Sequence, residues 1–153
     1  MSRAFVKEQD GEALDDLPDR AISEHPNFVT PHGLALIEDD LARAHADYAK
    51  AQGDNDRPAL ARTGRDLRYW TARRSTAQVV TPANTDEVHF GVTVTLERDD
   101  GRKQTWRIVG EDEADPTKGT ISHSSPLARA LYGKRVGDTV RAGQGEAEIV
   151  AIS

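Results

Sequence analysis

The chain has no cysteine, few aromatic residues and no long hydrophobic run. The absence of cysteine excludes disulfide bonds and metal sites built on thiolates. No apolar stretch approaches the ~20 residues that a membrane-spanning helix needs, and the polar amino terminus does not have the character of a secretory signal. A formal net charge of −6 argues against a protein that coats nucleic acid by charge alone. These features predict a cytoplasmic protein with no membrane partner.

An acidic leader opens the chain. Residues 1–28 carry seven carboxylates against three basic side chains, and Pro18 and Pro26 interrupt a segment with too few apolar residues for a core. We therefore predict a flexible acidic tail over residues 1–28. The 153 residues of the chain are enough for one ordinary domain, or for a small domain with an appendage.

Residues 29–80 show helical periodicity. Thr30 is a good N-cap, and Pro31 suits the first position of a helix. The turn sequence Gly53-Asp54-Asn55-Asp56 separates two apolar seams, and Pro58 restarts a helix after it. The first seam consists of Leu34, Ile37, Leu41, Ala44 and Tyr48, and the second of Leu60, Thr63, Leu67, Trp70, Arg74 and Ala77. The spacing predicts an antiparallel α-helical hairpin, a short coiled coil.

Residues 81–153 change to a period of two. Apolar and polar side chains alternate over residues 88–96, which predicts a half-buried strand, and Asp99-Asp100-Gly101-Arg102 predicts the turn into a partner strand. Ser125 and Pro126 are typical of the start of a short helix. Two more strands flank Gly143-Gln144-Gly145. We predict an α+β protein, a helical hairpin followed by an antiparallel sheet domain with one short helix.

The hairpin turn contains two candidate catalytic residues, Asp54 and Asp56. Two carboxylates at the tip of a rigid hairpin suit a divalent cation whose other ligands come from a partner. The structural alternative is that Asp54 favours the turn and Asp56 caps the second helix. Both interpretations are open on the sequence.

The second helix is strongly basic, and Arg62, Arg65 and Arg68 recur every three residues along it. A basic stripe of this kind meets the phosphates of a nucleic acid. The alternative is charge pairing with the acidic first helix on solvated faces, which stabilises little.

A third candidate site is the acidic cluster Glu111, Asp112, Glu113 and Asp115. It suits a basic partner surface, and otherwise it is a solvated loop. The spacing of its carboxylates does not match a calcium-binding loop, and the five histidines are scattered, so we expect no metal site that belongs to this chain alone.

Three segments carry a family resemblance: Ser75-Thr76-Ala77-Gln78-Val79-Val80, residues 88–96 with Phe90-Gly91 and Thr93-Val94-Thr95, and most specifically residues 108–137 with Ser125-Pro126-Leu127-Ala128. With them, about residues 27–153 resemble the bacterial Gre transcription elongation (transcript cleavage) factors, the GreA/GreB-like family. The resemblance implies that the sheet domain is FKBP-like and binds RNA polymerase at the mouth of its secondary channel. It also implies that the hairpin enters the channel, where acidic tip residues help the polymerase to hold a second Mg²⁺ ion that cleaves backtracked RNA.

On this basis we predict an accessory factor rather than an enzyme, a monomer with no intrinsic cofactor and with Mg²⁺ shared with the polymerase. Residues 81–153 would bind RNA polymerase, and the arginine stripe would face nascent RNA in the channel. The predicted polymerase-binding residues are Glu111, Asp112, Glu113, Asp115, Ser125, Pro126, Leu127 and Arg129.

The hairpin tip departs from the family pattern. In the family, Gly-Asp is followed three residues later by Glu, whereas here Gly53-Asp54 is followed by Arg57 at that position. The predicted hairpin is also several turns shorter than in cleavage-competent members. These differences support an alternative function, a non-catalytic secondary-channel regulator that competes with cleavage factors or modulates transcription without cleavage.

Overall fold

The structure, a computed structural model, describes residues 17–153, so residues 1–16 of the predicted tail lie outside the described part. Two compact units are present. One contains residues 35–76 and the described leader up to residue 24, and the other contains residues 25–34 and 77–153. The helices are α1 (Pro31–Gly53), α2 (Arg57–Thr76) and α3 (Pro126–Leu131). The strands are β1 (Phe28–Val29), β2 (Gln78–Val79), β3 (Thr93–Arg98), β4 (Lys103–Val109), β5 (Thr120–Ser122), β6 (Thr139–Ala142) and β7 (Gly145–Ile152).

Helix α1 begins where the sequence predicts. The Thr30 hydroxyl oxygen accepts a hydrogen bond from the Gly33 amide at 2.9 Å, and the Thr30 carbonyl accepts one from the Leu34 amide at 2.9 Å. These contacts satisfy amides that a helix start would otherwise leave unpaired. The helix then runs for 23 residues.

The apolar seam of α1 repeats every seven residues, because Ile37, Ala44 and Ala51 are all buried. On α2 the buried residues are Gly64 and Arg73. The small Gly64 allows close contact between the helices, since a Cβ atom there would lie 3.4 Å from the Tyr48 ring. The predicted helical hairpin is confirmed.

The prediction that Arg74 lies in the apolar seam of α2 is wrong. Arg74 is exposed, and its Nε lies 3.0 Å from Glu38 Oε1 of α1, whereas the neighbouring Arg73 is buried. Heptad spacing does not distinguish two adjacent arginines, because either side chain can bury its aliphatic part and extend its charged end. The exposed pair across the hairpin contributes about 0.2–1 kcal/mol.

The larger sheet has five strands in the order β5-β4-β3-β7-β6. Neighbouring strands are antiparallel except β4 and β5, which are parallel. The α+β fold class is confirmed, but the sheet is mixed rather than entirely antiparallel. The reason is that a short 3₁₀ helix, Pro116–Lys118, returns the chain so that β5 runs beside β4 in the same direction.

The first long strand is shorter than predicted, since β3 begins at Thr93 rather than near Val88. The backbone of Val88 bonds to residues 133 and 134 instead, and Gly91 has a φ of +90° that interrupts regular extension. The alternation nevertheless identifies the core correctly: Val88, Phe90, Val92, Val94 and Leu96 are all buried. The same core also contains Ile108, Ala128, Leu131 and Ile149.

Part of the predicted tail is strand instead. Phe28 and Val29 form β1, which pairs in parallel with β2, so the residues that flank the two ends of the hairpin are bonded together. The Phe28 ring packs edge-on against Phe90 at 5.9 Å between centroids. No helix in the described residues has both the length and the apolar character to cross a membrane.

Candidate functional site

The hairpin tip brings Asp54 and Asp56 to one surface. Both are exposed, and together with Asp47 and Lys50 they line a cavity of about 190 Å³. One Asp56 carboxylate oxygen accepts a hydrogen bond from the Ala59 amide at 3.1 Å, so the capping role of Asp56 is confirmed. The Asp54 carboxylate makes no hydrogen bond to any described residue. Asp54 is therefore the tip carboxylate that no local contact uses.

The tip alone does not provide a metal site. Within residues 17–153, no group of three or more acidic or histidine side chains is arranged to hold a metal ion. Carboxylate oxygens suit Mg²⁺, but the ion demands near-octahedral coordination and usually keeps several waters. A cation at Asp54 would therefore need ligands from a second molecule.

The three predicted RNA-facing arginines differ in their surroundings. Arg62 is exposed, whereas Arg65 is half-buried and its Nε is a buried donor with no hydrogen-bond partner among the described residues. Arg68 donates from Nε to Asp19 Oδ1 at 2.7 Å. The carboxylate paired with Arg68 comes from the leader and not from α1, so charge pairing across the hairpin does not explain this part of the stripe.

The acidic cluster does not form one uniform surface. The Glu113 carboxylate accepts a hydrogen bond from the Thr30 hydroxyl at the start of α1. Asp115 is the N-cap of the 3₁₀ helix, and hydrogen bonds from the Thr117 hydroxyl and amide hold the pKa of Asp115 below its ordinary value. Glu111 and Asp112 are half-buried in the turn before them. Glu113 and Asp115 thus help to hold the conformation of this segment.

Helix α3 presents the second half of the predicted polymerase-binding set. The Ser125 hydroxyl accepts a hydrogen bond from the Ala128 amide at 3.3 Å and caps the helix, as predicted. Pro126 and Arg129 are exposed, whereas Leu127 is half-buried against the core. The outward face of this short helix therefore carries Pro126 and Arg129.

Two exposed apolar residues follow α3. Tyr132 is 38% exposed and Val136 is 57% exposed. Partial burial raises the pKa of Tyr132 above its ordinary value by desolvation. The sequence analysis did not single out Val136. Its place three residues after Gly133, beyond the end of α3, was the available indication that it lies outside the core.

His123 has a structural place rather than a catalytic one. It is buried, and its ring lies 5.4 Å from that of Phe28 and 5.7 Å from that of Phe90. The nearby Ser122 and Ser124 hydroxyls lie 2.8 Å from each other. This arrangement places the imidazole among aromatic rings and gives no support to a serine nucleophile.

Comparison with known proteins agrees with this architecture. The family described as "Transcription elongation factor, GreA/GreB, C-term" matches residues 82–153. Transcription elongation factor GreB of Neisseria meningitidis serogroup B is 36% identical, over 85% of this chain and 95% of that protein. This chain belongs to the GreA/GreB family. It is a transcription elongation factor rather than an enzyme in its own right.

Other GreA/GreB proteins are similar over comparable lengths. Transcription elongation factor GreA of Verminephrobacter eiseniae is 42% identical over 85% of this chain and 84% of that one. The solved structure of a prokaryotic GreA/GreB factor from Nitrosomonas europaea has a TM-score of 0.43 and 19% identity, over 82% of this chain and 98% of that one.

Proposed function

We propose that this chain binds RNA polymerase in the cytoplasm and regulates elongation from the secondary channel. The observation that carries the proposal is the similarity to a GreB protein over 85% of this chain and 95% of the relative, since it includes the hairpin as well as the sheet. The sheet unit acts as the anchor, and the hairpin is the part that enters the channel. A monomer suffices for both roles.

The polymerase-binding surface in this proposal lies on the acidic turn and on α3. The surface consists of Glu111, Asp112, Glu113, Asp115, Ser125, Pro126, Leu127 and Arg129. Glu113, Asp115 and Ser125 also make hydrogen bonds within the chain that hold the acidic turn and α3 in place. Replacement of Arg129 by glutamate should weaken polymerase binding without unfolding the domain, because Arg129 is exposed.

Asp54 is the residue through which this chain would assist RNA cleavage. Hydrolysis of a phosphodiester by two metal ions requires carboxylates that fix both ions. In this proposal the polymerase supplies most ligands, and Asp54 contributes one carboxylate to a Mg²⁺ ion shared between the two proteins. Asp56 contributes mainly by holding the start of α2.

A second candidate function is occupation of the channel without cleavage. The observation that favours it is the commitment of Asp56 to the cap of α2, followed directly by the cationic Arg57. The tip then carries one uncommitted carboxylate instead of an acidic pair. Such a chain would compete with cleavage factors for the same channel.

Halted, backtracked elongation complexes with labelled RNA separate the two functions. RNA shortening by the wild-type chain that is lost in Asp54→Asn, and kept in Asp39→Asn, would assign cleavage to Asp54. Binding to the polymerase without shortening would assign the non-cleaving function. A chain that fails to bind core polymerase at all would contradict both.

A further inference from the structure

Residues 17–20 form a strap along α2. Asp19 Oδ1 accepts a hydrogen bond from Arg68 Nε at 2.7 Å, and Arg20 Nη1 donates to Asp66 Oδ1 at 3.2 Å. The acid of the strap thus pairs with a base of the helix, and the base of the strap pairs with an acid of the helix. Two opposite pairs fix the register of the strap on α2.

The strap also makes apolar and aromatic contacts. The Arg20 guanidinium lies 3.8 Å from the centre of the Tyr69 ring and 5.6 Å from that of Trp70. Leu17 is half-buried and lines a cavity of about 210 Å³ with Tyr48 and Leu60. The strap therefore covers a surface composed of an arginine and an aromatic face.

A surface of this composition suits single-stranded nucleic acid. Arginine pairs with phosphate oxygens, and an aromatic ring stacks on a base whatever its identity. In the structure a carboxylate, from Asp19, occupies the anion position at Arg68, and a planar guanidinium, from Arg20, occupies the stacking position at Tyr69. The two neighbouring strap residues thus place an anion at Arg68 and a planar group at Tyr69, the positions that the phosphate and the base of one nucleotide would take.

We propose that residues 17–20 are an internal nucleotide mimic that covers an RNA-binding surface formed by Arg68 and Tyr69. The proposal deepens the proposed function and rests on the prediction from the sequence that the arginine stripe faces nascent RNA in the channel. It adds that single-stranded RNA binds only when the strap leaves, so the strap restrains contact with RNA.

The strap is held weakly enough to be displaced. The side chains of Asp19 and Arg68 are 66% and 57% exposed, and ion pairs with this exposure stabilise little. An RNA strand offers several phosphates and bases at once, and its binding releases counterions. Such a ligand replaces one short strap without any change in the helices.

Binding of a labelled single-stranded RNA oligonucleotide at low salt tests the proposal in the full-length chain. Leu17→Ser loosens the strap without a change of charge, and Asp19→Asn removes the anion that pairs with Arg68. Each should tighten RNA binding about two- to fivefold, the size expected for the loss of one exposed contact. Asp39→Asn on α1 is the matched control, because it removes the same charge and Asp39 makes no ion pair among the described residues.

A further variant identifies the uncovered surface. Arg68→Gln added to Leu17→Ser should cancel the gain, and the slope of log affinity against log salt should fall by about 0.7, the value for one phosphate contact to a single strand. Circular dichroism verifies that each variant keeps its helices.

The outcomes distinguish the strap inference from the RNA-facing role of the arginines. The strap is refuted if Arg68→Gln weakens RNA binding while Leu17→Ser and Asp19→Asn bind no more tightly than Asp39→Asn; the RNA-facing role then stands. If Arg68→Gln binds RNA as well as the wild type, the RNA-facing role fails and the strap inference fails with it. The proposal that the chain binds RNA polymerase is tested separately by pull-down, and neither of these results bears on it.

Discussion

The Thr30 hydroxyl donates a hydrogen bond to the Glu113 carboxylate, while its oxygen accepts one from the Gly33 amide. One side chain thus joins the acidic loop to the first turn of α1. A Cβ atom on Gly33 would lie 2.6 Å from Glu113 Oε1, so an alanine there would force the end of the Glu113 side chain to move. Glu113 therefore has a use within the chain that its place in an acidic cluster does not reveal.

The first prediction follows from that contact. Gly33→Ala should leave the stability nearly unchanged, because the roughly 1 kcal/mol lost when the new methyl group displaces Glu113 from Thr30 offsets the roughly 0.5–1 kcal/mol that alanine gains over glycine inside a helix. The free energy of unfolding in urea measures the change.

A double-mutant cycle provides the control for Gly33→Ala. In a Glu113→Ala background the same substitution should stabilise the protein by roughly 0.5–1 kcal/mol, since there is no carboxylate to displace. Equal effects in the two backgrounds would contradict the assigned role of Glu113.

The second prediction concerns the cap of α2. Asp56→Ala should destabilise the hairpin by about 1 kcal/mol, because the Ala59 amide loses its acceptor. Asp56→Ser should change stability by only a few tenths of a kcal/mol, about the difference between two good caps. Thermal unfolding of the wild type and the two variants measures their order of stability. A loss of stability in Asp56→Ser as large as in Asp56→Ala would show that the charge of Asp56, and not its capping hydrogen bond, stabilises the hairpin.

The third prediction compares two glycines. A Cβ atom on Gly110 would lie 2.5 Å from the carbonyl oxygen of Phe28, so Gly110→Ala must shift backbone and should cost about 1–3 kcal/mol. A Cβ atom on Gly53, at the end of α1, would have no other atom within 4 Å, and the φ of Gly53 is not positive. Gly53→Ala should therefore be neutral or stabilise by about 0.4–1 kcal/mol. Denaturation midpoints of both variants decide the comparison, and equal effects would contradict it.

The parts of the structure that sequence predicts are those determined by near neighbours. Thr30 and Ser125 cap helices that start one residue later, and the alternation from Val88 to Leu96 marks core residues. Strand β5 was not predicted, because a three-residue strand acquires its identity only from a parallel partner on β4.

The site was predicted less completely for the same reason. Asp19 and Arg68 are separated by 49 residues, and the leader containing Asp19 has the composition of a flexible tail. No local pattern links the two side chains. Likewise, the contact of Glu113 with Thr30 depends on how the loop packs, so composition alone could only place Glu113 with its acidic neighbours.

The last prediction concerns pH. Hydrogen bonds from Thr117 lower the pKa of Asp115 in the folded chain below the ordinary value of 3.8 that applies when the chain is unfolded. The ionised carboxylate therefore stabilises the fold above pH 3.8, and this contribution is lost as the pH falls through the lower, folded pKa. Asp115→Asn should be less stable than the wild type at pH 7, and the difference should shrink below pH 3.8. Urea denaturation of both chains at pH 7 and at about pH 3 measures it; a difference that is constant or grows toward acid would contradict the sign of the shift.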